Sequence, residues 1–289
     1  LGGMTIIGLL FTIGKQATLS ELAHVLLQDY VPFVALLSSL YIVTSGFQIS
    51  ILIKPTPLNN TLFLALGSLL SSFIGTTGAS MVLLRPFIEI NQARSHKTHS
   101  ILFFIFLISN IGGCLTPIGD PPLYLGYLNG VDFFWTLYNL FLPFLVTASG
   151  LLVLYYLIDS YFYRKDKGLF TEHLVARASR FSLQGKVNLL FVSLIIILVI
   201  LPGFLQRLYP SLPAVVVAGY AISLTQILCT LGLFITAGCS YFLTSKKLRH
   251  HQHFSWKPVL EVGQVFAVIF ITLIPLSLML KTGDQGPLK

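Results

Sequence analysis

Charged side chains are scarce in this 289-residue sequence: Asp, Glu, Lys and Arg make up 10% of it, against about 25% in soluble domains. So few charges cannot coat a soluble globule of this size. Hydrophobic residues account for 55%, and the mean hydropathy is +0.83. An ordinary cytosolic enzyme is thereby excluded. Cysteine is nearly missing too. Cys114, Cys229 and Cys239 all fall in apolar stretches with no CxxC spacing; they give no sign of a disulfide framework and read as small packing residues. Short alternating segments of about ten residues, the mark of a membrane β-barrel, do not occur; the apolar stretches run about 20 residues or more and call for bilayer-spanning helices. The chain opens at Leu1, inside an apolar run, which reads as a truncated N-terminus without a signal peptide.

Acidic residues are outnumbered, 10 against 18 basic, for a net charge of +8. Thirteen of the 18 fall in three loops, Arg85–His99, Asp159–Lys186 and Ser245–Lys257. Basic residues gathered in loops between apolar spans orient a membrane protein with those loops in the cytoplasm, so nucleic acid is not the expected partner; the lipid bilayer is. Arg85 and Arg94 read as anchors at the headgroup boundary. His250, His251 and His253 sit among Lys246, Lys247 and Arg249, where a metal cation would be repelled, and read as a solvated loop. Nothing in the chain calls for a cofactor.

The uncharged runs Val31–Ile53, Thr61–Leu84, His99–Gly119 with its tail to Leu128, Phe133–Ile158, Val187–Gln206, Leu208–Ser245 and Val262–Leu280 predict about seven membrane segments, with Leu1–Ile13 as an N-terminal remnant. Leu208–Ser245 is 38 residues long, long for one helix and short for two. The expected fold is an all-α polytopic membrane protein. Residues 1–158 read as a first membrane repeat, 159–186 as a cytoplasmic linker, and 187–289 as the start of a second, incomplete repeat.

Two segments cannot continue as regular helices. The first is the serine- and glycine-rich run Ser71–Ser80, with Gly75-Thr76-Thr77-Gly78 at its middle. The second, Ser109–Pro122, holds three glycines and three prolines between Gly112 and Pro122, residues that break a helix. Unwound backbone inside a bilayer survives only when buried in protein or lining a watery cavity. Interrupted helices are how secondary transporters build sites near the midplane, with freed carbonyls for cations and half-helix N-termini for anions. Thr76, Thr77, Ser80, Ser109, Asn110 and Thr116 supply neutral oxygens, Gly112 and Gly113 allow the backbone to approach, and Asp120 can exchange a cation for a proton. Asp120 can equally cap a helix starting at Pro121. Glu261 opens the last span. An intramembrane aspartyl protease is disfavoured because Ile118-Gly119-Asp120 lacks its first glycine and no second aspartate forms a dyad.

The run Ser109–Pro122 resembles the ion-transporter superfamily in its citrate-transporter-like branch of bacterial sodium/proton antiporters. The resemblance extends to Gly75–Ser80 with Arg85-Pro86, to Gly130–Trp135, and to Phe254–Pro258 with Glu261-Val262. It implies inverted repeats, each with a re-entrant hairpin and a discontinuous helix, and elevator-like movement. In that frame Thr61–Leu84 is the hairpin of the first repeat, and its partner is the helix broken around Asn110–Asp120. Nothing between Val187 and Lys289 resembles the family's second hairpin and second broken helix, so the chain is expected to lack the C-terminal repeat. The leading expectation is a sodium/proton antiporter of a bacterial inner membrane, with sodium ion and proton as its ligands and Asp120 as the exchangeable carboxylate. The alternatives are a citrate or dicarboxylate symporter, whose ligand is an organic anion, and a non-transporting membrane fragment or assembly protein. A homodimer is compatible with each. No Ser/His pair, carboxylate dyad or metal-ligand set points to an enzyme.

Overall fold

The computed structural model describes residues 1–166, 180–209, 213–217, 220–251 and 254–281. It is mostly helical, and six of the described helices are long and apolar enough to cross a membrane. The chain falls into two compact units, residues 1–38, 201–234 and 255–289 in one and residues 39–200 and 235–254 in the other.

In the first unit α1 (Gly2–Thr12) packs on α2 (Lys15–His24) and on the last helix, α12 (Lys257–Lys281). A π-helical turn, Val25–Tyr30, joins α2 without a break to α3 (Val31–Thr44). Tyr30 donates to the Gly263 carbonyl at 3.1 Å, and the Phe33 ring lies 4.5 Å from that of Phe266. The long uncharged run 208–245 resolves here. It is one helix, α10 (Leu224–Leu243), preceded by the antiparallel strands β3 (Ala214–Val217) and β4 (Tyr220–Ser223). Val215, Val216 and Val217 suit an extended ladder, being branched at Cβ, and the absence of charge could not show where the helix starts.

In the second unit α3 ends at Thr44, short of the Ile53 limit that the uncharged run suggested. Its closing turn is tied off locally: Ser45 Oγ donates to the Ile42 carbonyl at 2.6 Å, and the Gly46 amide to the Val43 carbonyl at 3.0 Å. The chain then forms β1 (Gln48–Leu52), which pairs antiparallel with β2 (Arg180–Gln184). The C-terminal turns of α3 and α10 meet at Arg249, on the short helix α11 (Lys246–His251). Its buried guanidinium donates to the Ile42 carbonyl at 2.9 Å, to the Ser240 carbonyl at 2.8 Å and to the Ser45 hydroxyl. Helix C-termini each carry about half a negative charge, so two of them balance one arginine. Asn188, at the start of α9 (Val187–Leu208), joins the same knot through the Gly46 carbonyl at 3.0 Å and the Ser240 hydroxyl at 2.6 Å.

The rest of this unit is a helical hairpin and its partners. Thr56 caps α4 (Pro57–Ile74), accepting the Asn59 amide at 3.3 Å with Pro57 in the first turn, a favourable start for a helix. The chain reverses at Gly75 and returns as α5 (Thr76–Ile90), packed against α4. Next come α6 (Thr98–Leu107), a 3₁₀ turn at Ile111–Gly113, and α7 (Pro121–Leu128). The seventh expected segment is therefore the discontinuous α6–α7. The 32-residue α8 (Trp135–Asp166) packs on α4 and α6 and spans about 48 Å. It runs on into the stretch read as linker; residues 167–179 of that stretch lie outside the described residues, as do 252–253 of the histidine cluster.

Arg94 is not a headgroup anchor. It is 2% exposed and reaches both Asp159 carboxylate oxygens, at 2.6 and 2.7 Å, and the Asp159 carbonyl at 3.1 Å. Asn60 on α4 donates to the same carboxylate at 3.3 Å and to Asn91 at 2.8 Å. A guanidinium snorkels to an interface only where no buried anion meets it first, and Asp159 is 65 residues away in sequence. The pair ties the open end of the hairpin to α8. Breaking one partner of a buried pair costs about 3–5 kcal/mol, whereas replacing both with apolar residues is often neutral. Arg94→Met should accordingly lower the unfolding temperature of the detergent-solubilised protein sharply, and adding Asp159→Leu should recover most of the loss.

Candidate functional site

The tip of the α4–α5 hairpin meets the unwound segment between α6 and α7, and small residues make the approach possible. On α4 the buried face carries Gly67, Ser68, Ser71 and Ser72. A Cβ placed on Gly112 would lie 2.7 Å from both the Ser68 and Leu107 carbonyl oxygens. On Gly113 it would lie 2.6 Å from the Gly119 carbonyl oxygen and 2.7 Å from the Thr76 methyl. Backbone atoms cannot yield to such contacts, so both positions require glycine. Gly75 adopts φ +76, a conformation that suits glycine. This sharp turn ends α4 and starts α5.

The unwound backbone is satisfied across this contact. Ser72 Oγ donates to the Gly112 carbonyl at 2.5 Å, and the Thr116 hydroxyl donates in return to the Ser72 carbonyl. The Thr76 amide donates to the Gly119 carbonyl at 3.1 Å. Ser80 and Ser109 share a hydroxyl–hydroxyl hydrogen bond of 2.7 Å, and Ser80 also donates to the Thr76 carbonyl at 2.7 Å. From α8, Thr136 donates to the Leu115 carbonyl at 3.1 Å. Thr76, Ser80, Ser109, Gly112, Gly113 and Thr116 are thus brought together, and they hold the two interrupted helices to each other.

The remaining candidates stand apart from that seam. Thr77 and Asn110 are exposed and Asp120 is half-buried, and none of the three side chains has a hydrogen-bond partner among the described residues. Asp120 occupies the N-cap position of α7 without a side-chain capping bond. The reason lies in its neighbours. Pro121 and Pro122 have no N–H to offer, and the next two amides, of Leu123 and Tyr124, go to the Asp120 carbonyl at 3.1 and 3.2 Å. The carboxylate is therefore not spent on the helix. The start of α5 differs: it has no side-chain cap and no acidic residue in its first turn. Among the described residues the Thr77 and Gly78 amides make no hydrogen bond. One half-helix N-terminus thus offers free donors, and the other carries an uncommitted carboxylate.

Ser72 and Thr136 belong to this arrangement and were not among the residues singled out from sequence. Ser72 lies within the hydroxyl-rich run, and the i, i+4 spacing of Ser68 and Ser72 marks a common helix face. Thr136 carried no signal, since its partner is a carbonyl exposed only by the unwinding. Cys114, within the break, is a free thiol.

Interrupted helices joined tip to tip in a chain of apolar spans define a polytopic membrane transporter. The sequence model of a family described as "Putative citrate transport" matches residues 2–289, and the chain belongs to that family. No curated protein and no solved structure matches it.

Three substitutions separate the seam from the free groups. Gly113→Ala forces backbone apart, an overpacking cost of about 1–3 kcal/mol or more, and Ser72→Ala removes a buried hydrogen bond worth about 1 kcal/mol. Both should lower thermal stability in detergent, while Thr77→Ala leaves it unchanged.

Proposed function

We propose that the protein is a cation-coupled secondary transporter of citrate-type carboxylate anions, working in a bacterial inner membrane. The observation that carries this reading is the uncapped start of α5, where the Thr77 and Gly78 amides are unspent. A substrate carboxylate accepts hydrogen bonds there and gains from the positive end of the helix dipole. The family description supports a tricarboxylate as substrate. Such an anion cannot cross an apolar barrier with its charge uncompensated. Asp120 and Asn110, beside the backbone carbonyls of the break, supply the oxygens that hold a coupling sodium ion, or Asp120 alone carries a proton.

A second reading, sodium/proton exchange without an organic substrate, is favoured by one observation: the Asp120 carboxylate is neither spent as a helix cap nor paired with a cation among the described residues. Sodium and proton then compete for it in turn.

Proteoliposomes distinguish the two. Uptake of labelled citrate should follow an imposed sodium or proton gradient, and Asp120→Asn should uncouple it. The exposed Thr77 hydroxyl, beside those amides, donates to the same substrate carboxylate, so Thr77→Ala should raise the half-saturating citrate concentration by about tenfold, the effect of losing one hydrogen bond to a charged group. Sodium-triggered proton movement with citrate inert, abolished by Asp120→Asn, would replace carboxylate transport with exchange.

A further inference from the structure

The open end of the hairpin holds more buried charge than the Arg94–Asp159 pair needs. Asp166, in the last turn of α8, has a side chain that is 0% exposed, and its arginine neighbour is distant: Arg94 Nε lies 3.9 Å away and makes no hydrogen bond. The close partner of Asp166 is His96, on the α5–α6 connection, whose Nδ1 lies 2.8 Å from Oδ1. The His96 backbone amide adds a longer contact at 3.5 Å. Asp159, by contrast, already has the guanidinium at 2.6 Å, Asn60 at 3.3 Å and His99 Nε2 at 2.7 Å.

The charge balance follows. With both imidazoles neutral the cluster contains one arginine and two carboxylates, a net buried charge of −1, and an uncompensated buried charge is costly. One added proton makes it neutral; a second would leave it positive. Between the two imidazoles the geometry discriminates. Asp159 has its cation at 2.6 Å, whereas among the described residues the arginine nearest Asp166 stands at 3.9 Å. The His96 side chain is 50% exposed, so a proton can reach it from solvent, while that of His99 is 11% exposed.

We infer that His96 and Asp166 form a proton-binding site at the base of the hairpin, and that its occupancy clamps the α5–α6 connection to α8. Among the described residues, the charged and titratable groups around the two imidazoles are Asp159, Asp166 and Tyr155 on α8, Arg94 on the connection itself, and Lys97 next to His96 in the chain. Lys165 lies 6.0 Å from the Phe162 ring on which both imidazoles stack, and opposes protonation. Among the described residues, the neutral Asn60 on α4 and Asn91 just past α5 adjoin the cluster, as does Ser100 on α6, which bonds Tyr155 at 3.1 Å. Imidazole is the side chain that ordinarily changes charge between about pH 5 and 8, so the clamp is engaged on the acid side of that range and released as pH rises. This site shares no residue with the hairpin tip, and its test does not pass through transport.

Histidine side-chain NMR of the labelled protein in nanodiscs tests it, with His96→Gln identifying the signal. The pH response of that signal should differ between the wild type and Asp166→Asn, because the variant removes the carboxylate 2.8 Å from the ring. Amide protection over Gln92–Ser100, corrected for intrinsic exchange, should fall measurably as pH is raised from about 5 to 8, the range in which imidazole changes charge. His96→Gln should remove that fall and His99→Gln should preserve it. An identical His96 titration in wild type and Asp166→Asn overturns the inference. So does pH-dependent protection that survives His96→Gln, or one abolished by His99→Gln alone.

Discussion

A backbone that leaves the helix inside a membrane must find hydrogen bonds without water, and the rest of this protein's core is arranged around meeting that need. Two breaks answer each other. The carbonyls freed at Ser72, Gly112 and Gly119 accept from Thr116, Ser72 and the Thr76 amide respectively. None of these groups would be satisfied if either helix were broken alone. The interrupted elements therefore form as a pair, and the glycines at 112 and 113 are what bring the two backbones close enough for hydroxyls one carbon long to bridge them.

This pairing also sorts the polar residues into two kinds. Groups that close the seam are consumed by it: Ser72, Ser80, Ser109 and Thr116 spend their hydroxyls on the protein. Groups left over, the Thr77 and Asn110 side chains, the Asp120 carboxylate and two amides at the start of α5, are those with something to offer a solute. Two prolines after Asp120 are decisive in that division. A different pair of residues would present amides that the carboxylate could cap, and the charge would be satisfied within the chain.

The breaks themselves were legible in the sequence because glycine, proline and hydroxyl residues concentrate there and little else explains them inside apolar runs. What was not legible was anything set by a distant partner. Arg94 reads as an interfacial arginine until Asp159 is placed beside it from another helix. The end of α3 at Thr44 and the strands at 214–217 and 220–223 were hidden for a different reason: an uncharged stretch records tolerance of lipid or protein, not the conformation adopted there. The candidate site fared similarly. Its residue types announced themselves, but the role of Asp120 as an unspent carboxylate rather than a cap depended on where two amides went.

The hairpin ends in two contrasting environments for one electrostatic reason. Its 18-residue first arm separates tip from base by about 27 Å. At the tip the side chains of the seam are neutral, because hydroxyls and carbonyls satisfy one another at little desolvation cost. At the base five ionisable side chains, Arg94, His96, His99, Asp159 and Asp166, are packed together. Burying them is tolerable only in near-neutral combination. A neutral seam is indifferent to pH and a charge-balanced cluster is not. The same hairpin can therefore hold a constant geometry at the proposed solute site while its proposed proton site adjusts the attachment to α8.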